Sequence, residues 1–318
     1  MIVFYDLTKS QQDWVQAKYP KLDIAFKSGL LTSRNLPNQK TEILSVHSNC
    51  KITASMLEKL PNLKLIATRT TGVDHIDLAA CKKARVRVVN AAGKNAQSVS
   101  EFTIGLILTA ARQIMVGAQR VEKGRFEDDG LVGTELLGKT IGVIGTGAIG
   151  GGVLRIAKGF GMKLIAHDEC KNTELKKELK FQYVPLKEIF EKADIISLHV
   201  PGTPQTKHLI NERSVKSMKP TAGIVNTSRG SVVDSQAILT ALKTNKLAWY
   251  AADVLEVEQN IFSDRALGKI DKQLVAHERT VITPHMAHGT EEAVSRVMAQ
   301  TIDQITAFKK NKPVNFVV

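Results

Sequence analysis

Thr140-Ile-Gly-Val-Ile144-Gly145-Thr-Gly147-Ala-Ile149-Gly150 is the stretch on which the reading of this chain turns. Its first five residues are rich in β-branched side chains and predict a buried strand. Glycines spaced GxGxxG follow at once, and a helical run from Val153 to Phe160 comes after them. Each glycine has a mechanical reason. Gly145 permits the tight turn, Gly147 lets backbone approach a pyrophosphate, and Gly150 lets the helix pack on the strand. The helix N-terminus adds unpaired N–H groups and a positive dipole, so phosphate is expected over Gly147, Ala148 and Ile149. An acid at the end of the next strand, about 20 positions on, should bind the ribose hydroxyls. Lys163-Leu-Ile-Ala-His-Asp168 supplies it. With Glu169 beside Asp168 and no adjacent arginine, a 2′-phosphate would be repelled, which favours NAD over NADP.

Working outward, strands and helices alternate along the chain, the sign of βαβ units around parallel sheets. Ile2–Tyr5, Leu22–Ala25, Ile43–Val46, Leu63–Ala67 and Val86–Val89 read as one strand series, with helices between them such as Ala54 to Leu60. Thr140–Ile144, Lys163–Ala166, Ile195–Val200, Gly223–Asn226, Trp249–Asp253 and Thr280–Thr283 read as a second. A long helix from about Val99 to Val121 connects them, and a last helix spans Glu291 to Lys309. The 318 residues exceed a single comfortable core, so two α/β domains are expected.

Hydrophobic residues at 43% and charged residues at 24% exclude a disordered or fibrous chain. Asp6 interrupts any N-terminal leader, and no run approaches the roughly 18 apolar residues of a membrane span, so a cytoplasmic protein without membrane contact is expected. Cys50, Cys81 and Cys170 are odd in number and lack CxxC spacing; they read as reduced thiols, with no metal. The net charge of +13 suits nucleic acid or small anions, but the basic residues are scattered and only 5% of residues are aromatic. That leaves no base-stacking platform and no expected nucleic-acid partner.

What a dinucleotide domain oxidises or reduces must be sought in polar residues at its strand ends. Three segments carry candidates: Ile224-Val-Asn226-Thr227-Ser-Arg229-Gly230, Asp253-Val-Leu-Glu-Val-Glu258 and Ile282-Thr-Pro-His285. Singly, each reads equally well as a surface cation, a loop acid and a satisfied histidine.

Together, in this order and spacing, they resemble the D-isomer-specific 2-hydroxyacid dehydrogenases. The resemblance covers nearly the whole chain. Arg69-Thr-Thr71-Gly72-Val-Asp74-His-Ile-Asp77 is similar to the family's substrate loop, Ser98-Val-Ser-Glu101 to the start of its interdomain helix, and Leu198-His-Val200-Pro201 to its cofactor-side loop. It implies two doubly wound parallel-sheet domains: a Rossmann NAD domain, residues 99–287, inserted in a flavodoxin-like substrate domain, residues 1–98 and 288–318. It also implies reversible hydride transfer between NADH and a 2-oxo acid, with pyruvate to D-lactate the leading reaction. The alternatives are a glyoxylate or hydroxypyruvate reductase, a phosphoglycerate-dehydrogenase-like member and, in a different class, an NAD-binding corepressor scaffold.

By the same resemblance Arg229 binds the substrate carboxylate, His285 is the acid/base, Glu258 is its partner, and Thr71 and Gly72 offer backbone N–H groups to substrate. These roles suit the chemistry. A guanidinium holds a carboxylate through charge-assisted bonds and polarises the neighbouring carbonyl. An imidazole supplies the proton as hydride arrives, and an ionised carboxylate beside it stabilises the imidazolium. Gly145, Gly147, Ala148, Ile149, Gly150, Asp168, Val200, Pro201, Thr206, Thr227 and Asp253 line the NAD site in this reading, Asp253 near the nicotinamide amide. A homodimer through the Val99 to Val121 region is implied as well. The chain departs from the family pattern in three places: Gln259 replaces the proline after Glu258, Lys94 stands where lactate-type members carry a tyrosine, and His288 stands where they carry an aromatic.

Overall fold

Among the described residues, runs of β-branched and large aliphatic side chains form twelve strands, all paired in parallel, in two separate sheets. The computed structural model describes residues 1–256, 267–312 and 314–318. Contacts divide the chain into Met1–Asn95 with Thr290–Val318, and Ala96–Gly289, so the parting falls three residues before and two after the limits expected at 98 and 287.

In the first unit β1 (Ile2–Tyr5), β2 (Ile24–Lys27), β3 (Ile43–Val46), β4 (Leu65–Thr68) and β5 (Arg87–Val89) lie in the order β2-β1-β3-β4-β5, the flavodoxin-like winding. Every residue of β1, β3 and β4 is buried, as parallel strands covered on both faces must be. The helix Glu291–Lys309 belongs to this unit: Met298, Ile302 and Ile305 share a core with Ile2, Phe4 and Leu65. Thr290 caps it by accepting from Ala293 N. The terminus then pairs with β5, Val317 N donating to Val88 O at 2.7 Å and Val88 N to Val318 O at 3.0 Å.

The second unit winds β6 (Thr140–Ile144), β7 (Lys163–His167), β8 (Gln182–Tyr183), β9 (Ile195–Leu198), β10 (Gly223–Asn226), β11 (Trp249–Ala252) and β12 (Thr280–Ile282) into the order β12-β11-β10-β9-β6-β7-β8. This is the Rossmann order extended by one strand. β8 was not expected, because two residues give no periodicity to read.

The expected connector is two helices, Ala96–Ala111 and Ile114–Glu122, bent by 66°. Gln113, in the left-handed region at φ 53°, breaks them. Their burial explains why a single rod fails: Ile104, Leu106, Ile107 and Ala110 share a core with Val153, Leu154 and Ala157, whereas Ile114–Glu122 buries no residue. Among the described residues no single helix is long and apolar enough to cross a membrane.

Candidate active site at the strand ends

Register places the candidate residues. His167 of β7 lies level with Ile144 of β6, Ile144 with Leu198 of β9, Leu198 with Asn226 of β10, Asn226 with Ala252 of β11, and Ala252 with Ile282 of β12. One to three residues past this line stand Asp168, Gly145, Val200, Pro201, Thr227, Arg229, Asp253 and His285, all at the carboxyl edge of one sheet. Ligands of wound α/β sheets bind at that edge, at the point where strand order reverses. Here the order reverses between β6 and β9.

At the reversal Gly145 sits at φ +93°, and a Cβ there would stand 2.5 Å from the His199 carbonyl oxygen. A Cβ on Gly150 would strike the Gly145 carbonyl. Gly147 differs: it caps the helix Ala148–Gly159, and a Cβ on it meets nothing within 4 Å. Two glycines are thus required by the fold, while the third leaves open space above a helix N-terminus, a cradle that fits a pyrophosphate. Ala148 and Ile149 form the first turn below it.

Asp168 follows β7 and folds back on the glycine turn. Its Oδ2 accepts from Thr146 N at 2.5 Å and Thr146 Oγ1 at 2.9 Å, and its Oδ1 from Cys170 N at 2.8 Å. Burial pushes the carboxyl pKa up, but these hydrogen bonds outweigh it and hold Asp168 below the usual aspartate value. The acid is ionised and anchored against the glycine turn. On the other side of the reversal, Thr206 braces the loop after β9, its hydroxyl donating to Pro201 O at 2.6 Å and accepting from Thr203 N at 2.9 Å. His199, before Val200, is held neutral by burial, its pKa pulled down to about 3. Thr227 is buried and its hydroxyl meets that of Thr103 at 2.8 Å.

Arg229 is set by Asn226, to which the sequence alone assigns no role. Asn226 is fully buried; its Nδ2 donates to Arg229 O at 2.9 Å, and its Oδ1 accepts from Ser228 N and Ser228 Oγ at 3.0 and 2.8 Å. Gly230 presses on the Leu255–Glu256 backbone, where any Cβ would collide. A Cβ on Gly202 would stand 3.1 Å from Arg229 Cγ, so the arginine stem packs on that glycine.

His285 adopts φ 53° and its N–H donates to Asp253 O at 2.8 Å. The Asp253 carboxylate, 1% exposed, accepts from Thr283 Oγ1 at 2.6 Å, Met286 N at 2.9 Å and Ala287 N at 2.8 Å. Asp253, expected near the nicotinamide amide, clamps the histidine's turn. His288 stacks edge-on to His285, ring centres 5.9 Å apart and planes at 88°. Glu258 lies outside the described residues. Glu256, two residues earlier, accepts from Ser235 N at 3.1 Å and pairs with His208 Nε2 at 2.5 Å.

In the first unit, Thr71 and Gly72 follow β4. Asn90 Nδ2 donates to Thr71 O at 2.6 Å and Thr70 Oγ1 to Gly72 O at 2.5 Å, fixing both peptide planes. Arg69 has no catalytic look: it is buried, donates to Tyr5 O, Asp6 O and Ser45 Oγ, and desolvation pulls its pKa down to about 10. Among the described residues no three His, Cys, Asp or Glu side chains gather as a metal site.

Residues 104–287 match the family model described as D-isomer specific 2-hydroxyacid dehydrogenase, NAD binding domain. The chain is 38% identical over 266 residues to a hydroxypyruvate reductase of Thermotoga maritima, covering 84% of each chain. It is 36% identical over 298 residues to a D-lactate dehydrogenase of Escherichia coli, covering 91% of this chain and 90% of that one. Its structure is similar to that of D-lactate dehydrogenase from Aquifex aeolicus complexed with NAD and lactic acid, with a TM-score of 0.88, 33% identity, and 100% and 99% of the two chains covered.

Proposed function

This chain belongs to the D-isomer-specific 2-hydroxyacid dehydrogenases and binds NAD, and on that premise we propose the reaction it performs: reduction of short 2-oxo acids by NADH, with pyruvate to D-lactate as the simplest case. The observation that supports it most is the alignment of Arg229 and His285 with the glycine turn along one sheet edge.

When bound, NADH supplies the hydride. The protein's own residues do the rest. Arg229 takes the substrate carboxylate in a charge-assisted pair and draws electron density from the adjoining carbonyl. His285 delivers the proton to the carbonyl oxygen as it becomes an alkoxide, and takes it back in the reverse direction. Glu258 is proposed, on the family resemblance, as the carboxylate that keeps this imidazole charged and oriented. Thr71 and Gly72 are proposed as backbone donors to the substrate, and Gly147, Ala148, Ile149 and Asp168 as the cofactor's anchor. A homodimer is proposed on the same resemblance; the exposed Ile114, Met115 and Val121 support it.

The test is NADH oxidation with pyruvate, glyoxylate, hydroxypyruvate and 2-oxoglutarate. Turnover of at least one, lost in Arg229→Ala and in His285→Ala, is the expected result. NADH binding with no turnover of any of them would replace this reading with that of an NAD-binding scaffold.

A further inference from the structure

We propose that Tyr183 is a positioning residue for the cofactor: its hydroxyl, acting through Thr146, fixes the Asp168 carboxylate that receives the NAD ribose, and so sets the preference of this site for NADH over NADPH. The proposal rests on NAD binding and on Asp168 as the ribose acid, and on nothing about the 2-oxo acid.

The short edge strand β8 brings the group into place. Tyr183 lies level with Ala166 of β7, two residues before Asp168, and Val184 N donates to Ala166 O at 2.9 Å just beyond it. Its ring meets Phe181 edge-on, centres 4.9 Å apart and planes at 67°, so the hydroxyl is carried on a stiff, partly buried platform. From there it reaches two segments: Thr146 Oγ1 of the glycine turn at 2.7 Å, and the N–H of Asn172 at 2.8 Å. Asn172 caps the helix Thr173–Leu179, its side chain accepting from Leu175 N. One phenol thus ties the glycine turn and the loop that carries Asp168 to the edge of the sheet.

The hydrogens in this chain of bonds can point only one way. An ionised carboxylate only accepts, and each hydroxyl has one proton to give. Thr146 Oγ1 therefore donates to Asp168 Oδ2 at 2.9 Å and must accept from Tyr183. The Asn172 carbonyl, 3.5 Å from the phenol, is the poorer acceptor, and Tyr183 in turn accepts from Asn172 N. The order runs from Asn172 N–H to Tyr183, from Tyr183 to Thr146 and from Thr146 to Asp168, each bond strengthening the next. Thr146 is 2% exposed, so its hydroxyl is held by these partners rather than by solvent. The same count limits the acid. Thr146 N and Thr146 Oγ1 fill Oδ2, and Cys170 N takes one position on Oδ1, which leaves a single acceptor position for a ribose hydroxyl. A carboxylate with one free position recognises its partner only while its orientation is fixed. One that swings loses the ribose bond and carries its charge away from a 2′-phosphate.

The experiment measures the NADH and NADPH dissociation constants by fluorescence titration of the full-length protein, Tyr183→Phe, Asp168→Ala and the double variant, with Tm followed in each. Tyr183→Phe removes one oxygen and keeps the ring against Phe181. It should weaken NADH at least fivefold while leaving NADPH within twofold. In the Asp168→Ala background the same change should cost less than twofold, because Tyr183 then has no carboxylate to fix. NADH binding in Tyr183→Phe within twofold of the wild type, beside a clear loss in Asp168→Ala, overturns the proposal and leaves Asp168 as the ribose acid. An equal loss for both cofactors, or the same loss in both backgrounds, also overturns it and makes the hydroxyl a brace of the fold alone. Unchanged NADH binding in Asp168→Ala overturns both readings.

Discussion

The Asp253 carboxylate accepts the backbone N–H groups of Met286 and Ala287, the two residues that directly follow His285, while the Asp253 carbonyl accepts from His285 itself. One acid at the end of β11 therefore fixes the turn after β12. Because all three partners of its oxygens are donors, Asp253→Asn turns an NH2 group onto an N–H or O–H and breaks the set. The expected result is a fall in kcat/KM of at least tenfold and a destabilisation of about 1–3 kcal/mol, read from steady-state kinetics and thermal unfolding. An NADH Kd that stays within a few-fold of the wild type would assign Asp253 to the histidine turn; a parallel loss of NADH binding would assign it to the cofactor as well.

The three fingerprint glycines should separate in mutagenesis. Gly147→Ala adds a methyl to open space at an ordinary φ, so the protein should fold with little change in Tm yet bind NADH at least tenfold more weakly. Gly150→Ala drives a methyl into the Gly145 carbonyl and should lower Tm sharply. Equal behaviour of the two variants would contradict the cradle over Gly147.

Asp168 makes a prediction about cofactor choice and one about acid. Asp168→Ala removes both the ribose partner and the charge that repels a 2′-phosphate, so the kcat/KM ratio of NADH to NADPH should fall at least tenfold. Its carboxyl is held below the usual value, so the stability it contributes is complete above the unfolded pKa of about 3.9 and is lost as pH falls through the lower folded value. The Tm difference between wild type and Asp168→Ala should be constant from pH 7 to 5 and shrink below about pH 4. A difference that widened in acid would refute the anchoring role.

Asn226 should behave as a positioning residue for Arg229. Asn226→Ala leaves the Arg229 carbonyl and the Ser228 N–H without their buried partner. The cost is expected at about 1–3 kcal/mol of stability, with KM for the 2-oxo acid raised and NADH affinity retained. Asn226→Asp sets a buried carboxylate oxygen against the Arg229 carbonyl and should be at least as damaging as Asn226→Ala.

The cofactor half of this molecule was legible in the sequence because a strand, a glycine turn, a helix and a ribose acid are consecutive and local. Gly145, Gly150 and Asp168 needed no distant partner to be recognised, and the winding of both sheets followed from the alternation of elements. Several features are not legible in the sequence. Asn226 stands in the sequence as the last residue of a strand; its bonds reach only two and three residues along, to Ser228 and Arg229, but the direction in which its amide turns is not written in the spacing. Asp253 stands in the sequence as a candidate cofactor contact, and its hold on residues 286 and 287 appears only when β11 and β12 lie side by side. The break at Gln113 carries no proline or glycine to announce it and is set by where the buried face of Ala96–Ala111 runs out.

The sequence alone determined two wound α/β domains, a dinucleotide turn and a set of polar residues at strand ends, since hydrophobic periodicity and turn chemistry act over a few residues. Only the tertiary structure decided that Asp168, Gly145, Arg229 and His285 share one edge, and that His288 lies against His285. Parallel strands are joined through long crossovers, so the level at which their ends meet is set by sheet register and core packing, which no local stretch of chain encodes.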